Sequence, residues 1–133
     1  MSVDVRIIRP RDFIRSTAEG DLDLESSRRI LKELAAIIEA PEDLRLLIDT
    51  RNASVKLSVP ELFFLGDAVA SDPRLFRTRT ALLGSIRQAE NDRFIEMVAQ
   101  NRGANLKAFT SFENAIDWLV FDRAEDQSLE VNL

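Results

Sequence analysis

The chain has 133 residues, of which 45% are hydrophobic, and this length and composition predict one domain with a single core. A formal net charge of −5 and a pI near 4.8 argue against binding to nucleic acid or to an anionic membrane, because phosphate groups repel an acidic surface. The chain contains no His, Cys or Tyr, which excludes a Ser-His-Asp relay, disulfides, and metal sites built from thiolates or imidazoles.

The remaining composition also limits the function. The glycines, at positions 20, 66, 84 and 103, are too widely spaced for a phosphate-binding glycine loop. We therefore expect no cofactor and no metal. The N-terminus lacks the apolar core of a signal peptide, and no apolar run approaches the roughly 18 residues that span a bilayer, so the sequence predicts a cytoplasmic protein without an integral membrane segment.

The first half of the chain alternates β-prone and helical segments. Residues 5–9 and 13–18 flank Pro10-Arg11-Asp12 and predict an antiparallel hairpin. Residues 23–40 carry apolar side chains at helical spacing, with Asp21 or Asp23 as the cap and Pro41 as the stop. Residues 44–49 are almost continuously apolar, which is typical of a buried central strand covered by helices on both faces.

The second half continues the alternation. Ser58 and Glu61 form a capping-box pattern before an apolar helix over residues 61–70, which ends at 71–73. A strand at 78–83, a helix at 88–102 and a strand at 106–109 follow. The helix turns Phe94, Ile95 and Val98 toward the core, and Gly103 marks its end. Thr110 and Glu113 suggest a second capping box, opening a last helix that runs to residue 121.

The element order β-β-α-β-α-β-α-β-α predicts an α/β fold. We expect a single three-layer domain, with a mostly parallel central sheet of about five strands, helices on both faces and an N-terminal β-hairpin. This domain covers residues 1–121. Residues 122–133 form a polar, acidic tail that we expect to fray.

Three short motifs resemble the SpoIIAA-like or STAS-like family. They are GDLD at residues 20–23, LID at 47–49 followed by Arg51, and KAFTSFENAIDWL at 107–119, and the match runs over residues 5–121. The resemblance implies a small non-enzymatic α/β domain. Anti-sigma-factor antagonists use this fold as a phosphorylation-gated partner surface, and relatives resembling CRAL-TRIO-type lipid-binding domains are suspected of holding nonpolar ligands.

The loop after the central strand contains candidate site residues. Asp49, Thr50 and Arg51 lie at a strand end, where ligands collect in α/β proteins. We favour a structural function for Asp49, accepting backbone N–H groups and pairing with Arg51, over that of a phosphate acceptor. Ser58 and Ser54 are the possible regulatory phosphosites. The loop lacks the Asp-Ser-Ser-Gly-like sequence of the phosphoswitch antagonists, and Glu61 would repel a phosphate on Ser58, so we favour Ser58 as an N-cap.

The other carboxylates receive a structural interpretation. We expect six of them to lie on solvated helix faces or in first helical turns: Asp67, Glu90, Asp92, Glu96, Glu113 and Asp117.

The apolar helix offers more hydrophobic surface than one sheet-facing stripe can bury. Either neighbouring helices cover the excess, or it forms an apolar face for a partner or ligand: Leu62, Phe63, Phe64, Leu65, Val69 and Phe76. The favoured function is a non-catalytic STAS-like interaction module that binds a protein partner or a second copy of itself. The alternatives are a carrier or sensor of a nonpolar small molecule and, least favoured, a carboxylate enzyme centred on Asp49.

Overall fold

The computed structural model describes residues 4–8, 13–38 and 45–121. The strands are β1 (Asp4–Ile8), β2 (Ile14–Leu22), β3 (Arg45–Asp49), β4 (Ala53–Val55), β5 (Arg79–Leu83) and β6 (Leu106–Phe109). The helices are α1 (Leu24–Ile37), α2 (Val59–Ser71), α3 (Pro73–Arg77), α4 (Ala89–Asn101) and α5 (Phe112–Ile116). A 3₁₀ turn at Ile86–Gln88 precedes α4, and α5 continues as a π-helical turn over Asp117–Phe121.

The main sheet has the strand order β1-β2-β3-β5-β6. β1 and β2 form the antiparallel hairpin predicted from the sequence, and the pairs β2–β3, β3–β5 and β5–β6 are parallel. The N-terminal half of β2 pairs with β3, whereas its last residues pair with the short strand β4, from Gly20 opposite Ala53 to Leu22 opposite Val55. The predicted α/β fold with a mostly parallel sheet is confirmed.

The two faces of the sheet carry separate apolar clusters, as the nearly continuous apolar sequence of β3 predicted. Leu46, Ile48 and Leu82 point to the face covered by α1, α2 and α4. Leu47 and Leu83 point to the opposite face, where α5 and its π-helical extension contribute Ala115 and Leu119. The domain therefore has three layers, with a larger core on the side of α1, α2 and α4.

Local capping interactions explain where several helices begin. Asp23 caps α1 in a reciprocal box with Ser26, and Ser58 and Glu61 form the predicted box at α2. Asp72 ends α2 and caps α3, its Oδ1 accepting from the backbone N–H groups of Arg74 and Leu75. Gly103, with φ of +93°, follows α4, where a left-handed residue commonly ends a helix.

Several details differ from the sequence-based expectation. β4 and α3 were not predicted. The second capping box is wrong, because α5 is capped by Ser111, whose hydroxyl accepts from the backbone N–H of Asn114. The turn at 10–12, the stop at Pro41 and the tail at 122–133 lie outside the described residues.

Candidate functional site

Asp49 is a buried carboxylate at the end of β3, held by two arginines. Its Oδ1 accepts from the backbone N–H and Nε of Arg51 at 3.1 and 3.0 Å, and its Oδ2 accepts from Nη2 of Arg51 and of Arg15 at 2.9 and 3.0 Å. Burial alone would raise the pKa of Asp49, but the hydrogen bonds from Arg51 and Arg15 outweigh it and hold the pKa below its usual value. Both carboxylate oxygens are thus engaged in organising the loop.

The two arginines and the following threonine tie this loop to neighbouring elements. The guanidinium groups of Arg15 and Arg51 lie over the ring of Phe112 in α5, at 5.2 and 5.6 Å from its centroid. Thr50 is buried, and both its backbone N–H and its hydroxyl donate to the carbonyl oxygen of Leu83 in β5. These contacts join the loop after β3 to β2, β5 and α5.

The two candidate phosphosites are both on the surface. The Ser58 hydroxyl accepts from the Glu61 backbone N–H at 3.4 Å, and the Ser58 N–H donates to Glu61 Oε1 at 2.8 Å. Ser54 lies on β4 opposite Asp21 of β2. The structure therefore gives Ser58 a capping role, and phosphorylation of either serine stays a prediction.

The predicted apolar face of α2 divides into two parts. Leu62, Leu65 and Val69 are buried, because their i, i+3, i+7 spacing turns them toward the sheet. They belong to the core, so the prediction that they face a protein partner is wrong. The phenylalanines lie outside that stripe: on α2, Phe63 is 45% exposed and Phe64 42%, and Phe76, which belongs to α3, is 37% exposed.

Arginines from neighbouring helices flank the two phenylalanines of α2. The guanidinium of Arg28 on α1 lies 5.0 Å from the centroid of the Phe64 ring, and that of Arg102, just after α4, lies 5.7 Å from the centroid of the Phe63 ring. Arg102 also forms an ion pair with Asp67 of α2 at 2.9 Å. The exposed part of α2 therefore combines aromatic rings with positive charge.

An apolar cavity of about 80 Å³ lies between the sheet and helices α1, α2 and α4. Leu65 and Val69 line it from α2, and Ile30 and Ile95 line it from α1 and α4. The inward-facing part of the predicted apolar face therefore forms one wall of an internal space.

Asp92 also lines this cavity, a position that was not predicted from the sequence. Its side chain was expected on a solvated helix face, but the residue is only 5% exposed, and burial raises its pKa to about 7. Within the described residues, its Oδ2 has no hydrogen-bond partner. The spacing along the helix indicates this burial, because Asp92 precedes the buried Ile95 and Ala99 by three and seven residues and so shares their side of α4.

The other five carboxylates are partly as expected. Glu90, Glu113 and Asp117 are exposed, and Asp67 is half-buried and paired with Arg102. Glu96 differs, since its Oε1 accepts from the backbone N–H of Ala108 at 2.6 Å and joins α4 to β6.

Solved structures identify the fold. An uncharacterized protein of the DUF3478 family from Shewanella loihica, described as having a SpoIIAA-like fold, aligns with a TM-score of 0.52 at 23% identity, covering 88% of this chain and 93% of its own. An anti-sigma factor antagonist from Mycobacterium paratuberculosis aligns with a TM-score of 0.59 at 13% identity, covering 89% and 94%. Neither a protein-family model nor a curated protein sequence matches the chain.

The chain thus has the SpoIIAA-like α/β fold that the sequence motifs implied. Among its described helices, none has both the length and the hydropathy needed to cross a membrane.

Proposed function

We propose that this domain is a non-catalytic regulatory module that binds a protein through the outer side of α2. We call the exposed residues Val59, Phe63 and Phe64 the α2 surface. The observation that carries the proposal is the pair of adjacent phenylalanines, each more than 40% exposed on a helix whose other side is packed into the core. Exposed aromatic side chains that lie together are typical of protein contact surfaces.

The surroundings of the α2 surface support this function. The capping box of Ser58 and Glu61 fixes the start of the helix, so the rings are presented on a rigid element. Beside it, an open groove of about 970 Å³ runs between α1 and the α2–α3 segment, and charged groups of both signs line it: Asp23, Glu25, Arg28, Arg29, Lys32, Glu61 and Asp72. A partner that covered the rings could form polar contacts along this groove.

The fold comparison and the loop chemistry favour regulation over catalysis. One structure with this fold is an anti-sigma factor antagonist, and we extend a regulatory function to this chain as part of the proposal. The least favoured alternative required Asp49 to act as a base or nucleophile, but both of its oxygens accept hydrogen bonds from arginine and its pKa is lowered.

A second copy of the chain is the first partner to test. Native mass spectrometry and light scattering after gel filtration would compare the wild type with Phe64→Asp, which places a charge in the α2 surface. Ile86→Asp is the matched control, because Ile86 is 83% exposed and lies in the 3₁₀ turn before α4. We expect a dimer for the wild type and Ile86→Asp, and a folded monomer for Phe64→Asp.

A wild type that stays monomeric at high micromolar concentration would exclude self-association. Affinity capture with the same three proteins would then test for a different partner. A partner retained by the wild type and Ile86→Asp but lost with Phe64→Asp supports the α2 surface, whereas equal retention by all three contradicts it.

Phosphorylation of a serine on the segment that precedes α2 is part of the proposed regulation. Ser54 is the better candidate, because it is exposed on β4 while the Ser58 hydroxyl caps α2. Intact mass after expression in the native host would detect a phosphate, and Ser54→Ala should remove it. A phosphate that persisted in Ser54→Ala and disappeared in Ser58→Ala would reverse this assignment.

The second candidate function, a carrier or sensor of a nonpolar molecule, rests on the internal cavity lined by Leu65 and Val69. Its test is the binding of a small apolar ligand that Leu65→Trp, by filling the cavity, should expel.

A further inference from the structure

The internal cavity has a distinct composition. Of its fifteen lining residues, twelve are apolar, and the polar ones are Ser27, Thr50 and Asp92. Most small-molecule sites have this character, with an apolar wall and a few polar groups that orient the ligand. A purely structural core would fill such a space with side chains, since protein interiors are close-packed.

Thr50 and Asp92 form the polar end of the cavity. Both lie against Gly84, where an added Cβ would overlap Asp92 Oδ2 and would lie 3.7 Å from Thr50 Oγ1. The Thr50 hydroxyl donates a hydrogen bond to the Leu83 carbonyl oxygen, so Thr50 Oγ1 can still accept a hydrogen bond. Asp92 Oδ2 has no partner within the described part of the chain. A buried carboxyl oxygen in this position costs free energy until a donor reaches it.

We propose that the cavity binds a small, mainly apolar molecule that carries one hydroxyl group, with the hydroxyl at Asp92 and Thr50. A hydroxyl donates one hydrogen bond and accepts others, so it can accept from a protonated Asp92 carboxyl and donate to Thr50 Oγ1, which is left as an acceptor. With Asp92 ionised, the hydroxyl would donate to the carboxylate instead. The apolar part of the ligand would contact Ile30, Leu65 and Ile95 along the cavity wall. The inference deepens the second candidate function and does not depend on the α2 surface.

The size and the opening of the cavity fit such a ligand. One water molecule needs roughly 10–15 Å³ of such space, so about 80 Å³ holds either several waters or one small organic molecule. Four lining residues are only half-buried, and they lie on α1 and on the segment that begins with β4: Ser27, Leu31, Val55 and Leu57. A ligand would enter between these two elements.

The test is an NMR titration of the intact protein with 1-pentanol, pentane and 1-pentylamine. We expect 1-pentanol to shift the backbone amide signals of the lining residues and to bind about tenfold more tightly than pentane, the factor that one net hydrogen bond supplies. Asp92→Leu should abolish this preference for the alcohol. Glu90→Leu, which changes an exposed carboxylate on the same helix, should keep it.

Two further variants separate this inference from its alternatives. Leu65→Trp should abolish binding of all three probes, and Phe64→Asp should leave their binding unchanged, since Phe64 lies outside the cavity lining. If Phe64→Asp disrupts association but the probes still bind, the two proposals are independent. Loss of association without any probe binding would leave the α2 surface supported and the cavity proposal refuted.

Three results would overturn the inference. If no probe shifts the lining amides of the wild type, the cavity holds only water. If 1-pentylamine binds more tightly than 1-pentanol, the site takes a cationic head group instead of a hydroxyl. If Asp92→Leu retains the preference for 1-pentanol, Asp92 does not recognise the ligand.

Discussion

Asp92 Oδ2 lies against Gly84, in the space that a Cβ on residue 84 would occupy. The carboxyl group of α4 can be buried at the end of β5 because residue 84 has no side chain. This packing relationship also brings Asp92 close to Thr50, on the loop after β3.

Gly84→Ala should therefore lower the free energy of unfolding by about 1–3 kcal/mol, the usual cost of overpacking. Urea denaturation would measure it. In the Asp92→Ala background the same change should cost much less, because the overlapping carboxyl group is gone. Equal costs in both backgrounds would contradict the contact.

The pH dependence of stability should show the burial of Asp92. Its pKa rises from 3.8 in the unfolded chain to about 7 in the folded one. Between these values the unfolded chain has released the proton and the folded chain retains it, so stability falls as pH rises. The wild type should lose about 4 kcal/mol through this group, and the loss should level off once the pH has risen past the folded-state pKa of about 7.

Asp92→Asn should lack this loss, whereas Glu90→Gln, on the exposed side of the same helix, should retain it. Chemical unfolding at a series of pH values measures the free energy of unfolding of each variant and of the wild type. The difference between a variant and the wild type cancels the contributions of the other carboxylates. Parallel curves for the wild type and Asp92→Asn would show that Asp92 is ionised in the folded protein.

Asp49 should have the opposite pH dependence. Its lowered pKa means that its contribution is fully present above pH 3.8 and is lost as the pH falls through the folded-state value. Asp49→Asn should cost about 2 kcal/mol near pH 7, because two partly exposed guanidinium groups lose their charged acceptor. The difference from the wild type should shrink in acid.

Asp21→Asn is the control for Asp49, since the Asp21 ion pair with Lys56 is long, at 3.7 Å, and the two side chains are 31% and 66% exposed. It should cost less than about 1 kcal/mol. Similar losses for the two variants in thermal or urea unfolding would refute the structural role of Asp49.

Gly66 allows α2 and α4 to approach each other. A Cβ on residue 66 would lie 2.8 Å from Val98 Cβ and 2.9 Å from the Ile95 carbonyl oxygen. Gly66→Ala should therefore destabilise the fold by about 1–3 kcal/mol, although alanine is the better helix former by about 1 kcal/mol. Ser71→Ala, at the exposed end of the same helix, should not destabilise it in the same denaturation assay.

Arg79 anchors the last helical segment through Trp118. Its guanidinium lies 4.1 Å from the centroid of the indole ring, and its Nε and Nη2 donate to the Trp118 carbonyl oxygen at 3.0 and 2.7 Å. Arg79→Lys loses this forked contact and should lower stability by about 1 kcal/mol.

Because the chain has a single tryptophan, its fluorescence reports on this contact directly. The emission maximum of Arg79→Lys should shift to longer wavelength as the ring gains solvent, while that of Arg87→Lys, at an exposed arginine, should not. An unchanged spectrum for Arg79→Lys would show that other contacts hold Trp118.

The sequence predicted the features that depend on local physics. Hydrophobic spacing and caps such as Ser58 with Glu61 act within a few residues, so the order of the main strands and helices and the mostly parallel sheet followed from them. The family motifs added the SpoIIAA-like fold. The hydrogen bonds expected between Asp49 and Arg51 are also local, being two residues apart, and they are present.

Features that need distant partners were decided by the tertiary structure. β4 has only three residues and exists because Gly20–Leu22 of β2 lie beside it. Arg15 joins Asp49 from 34 residues away. The same packing divided the apolar residues of α2 between the core and the surface.

Asp92 shows most clearly the difference between what the sequence predicts and what the tertiary structure decides. The sequence analysis predicted a solvated position for Asp92 because of its charge, although its spacing from Ile95 and Ala99 puts it on the buried side of α4. Only the packing of α4 over Gly84 and the sheet determined that the group is buried beside a cavity, because burial depends on surfaces that the fold brings together from separate parts of the chain.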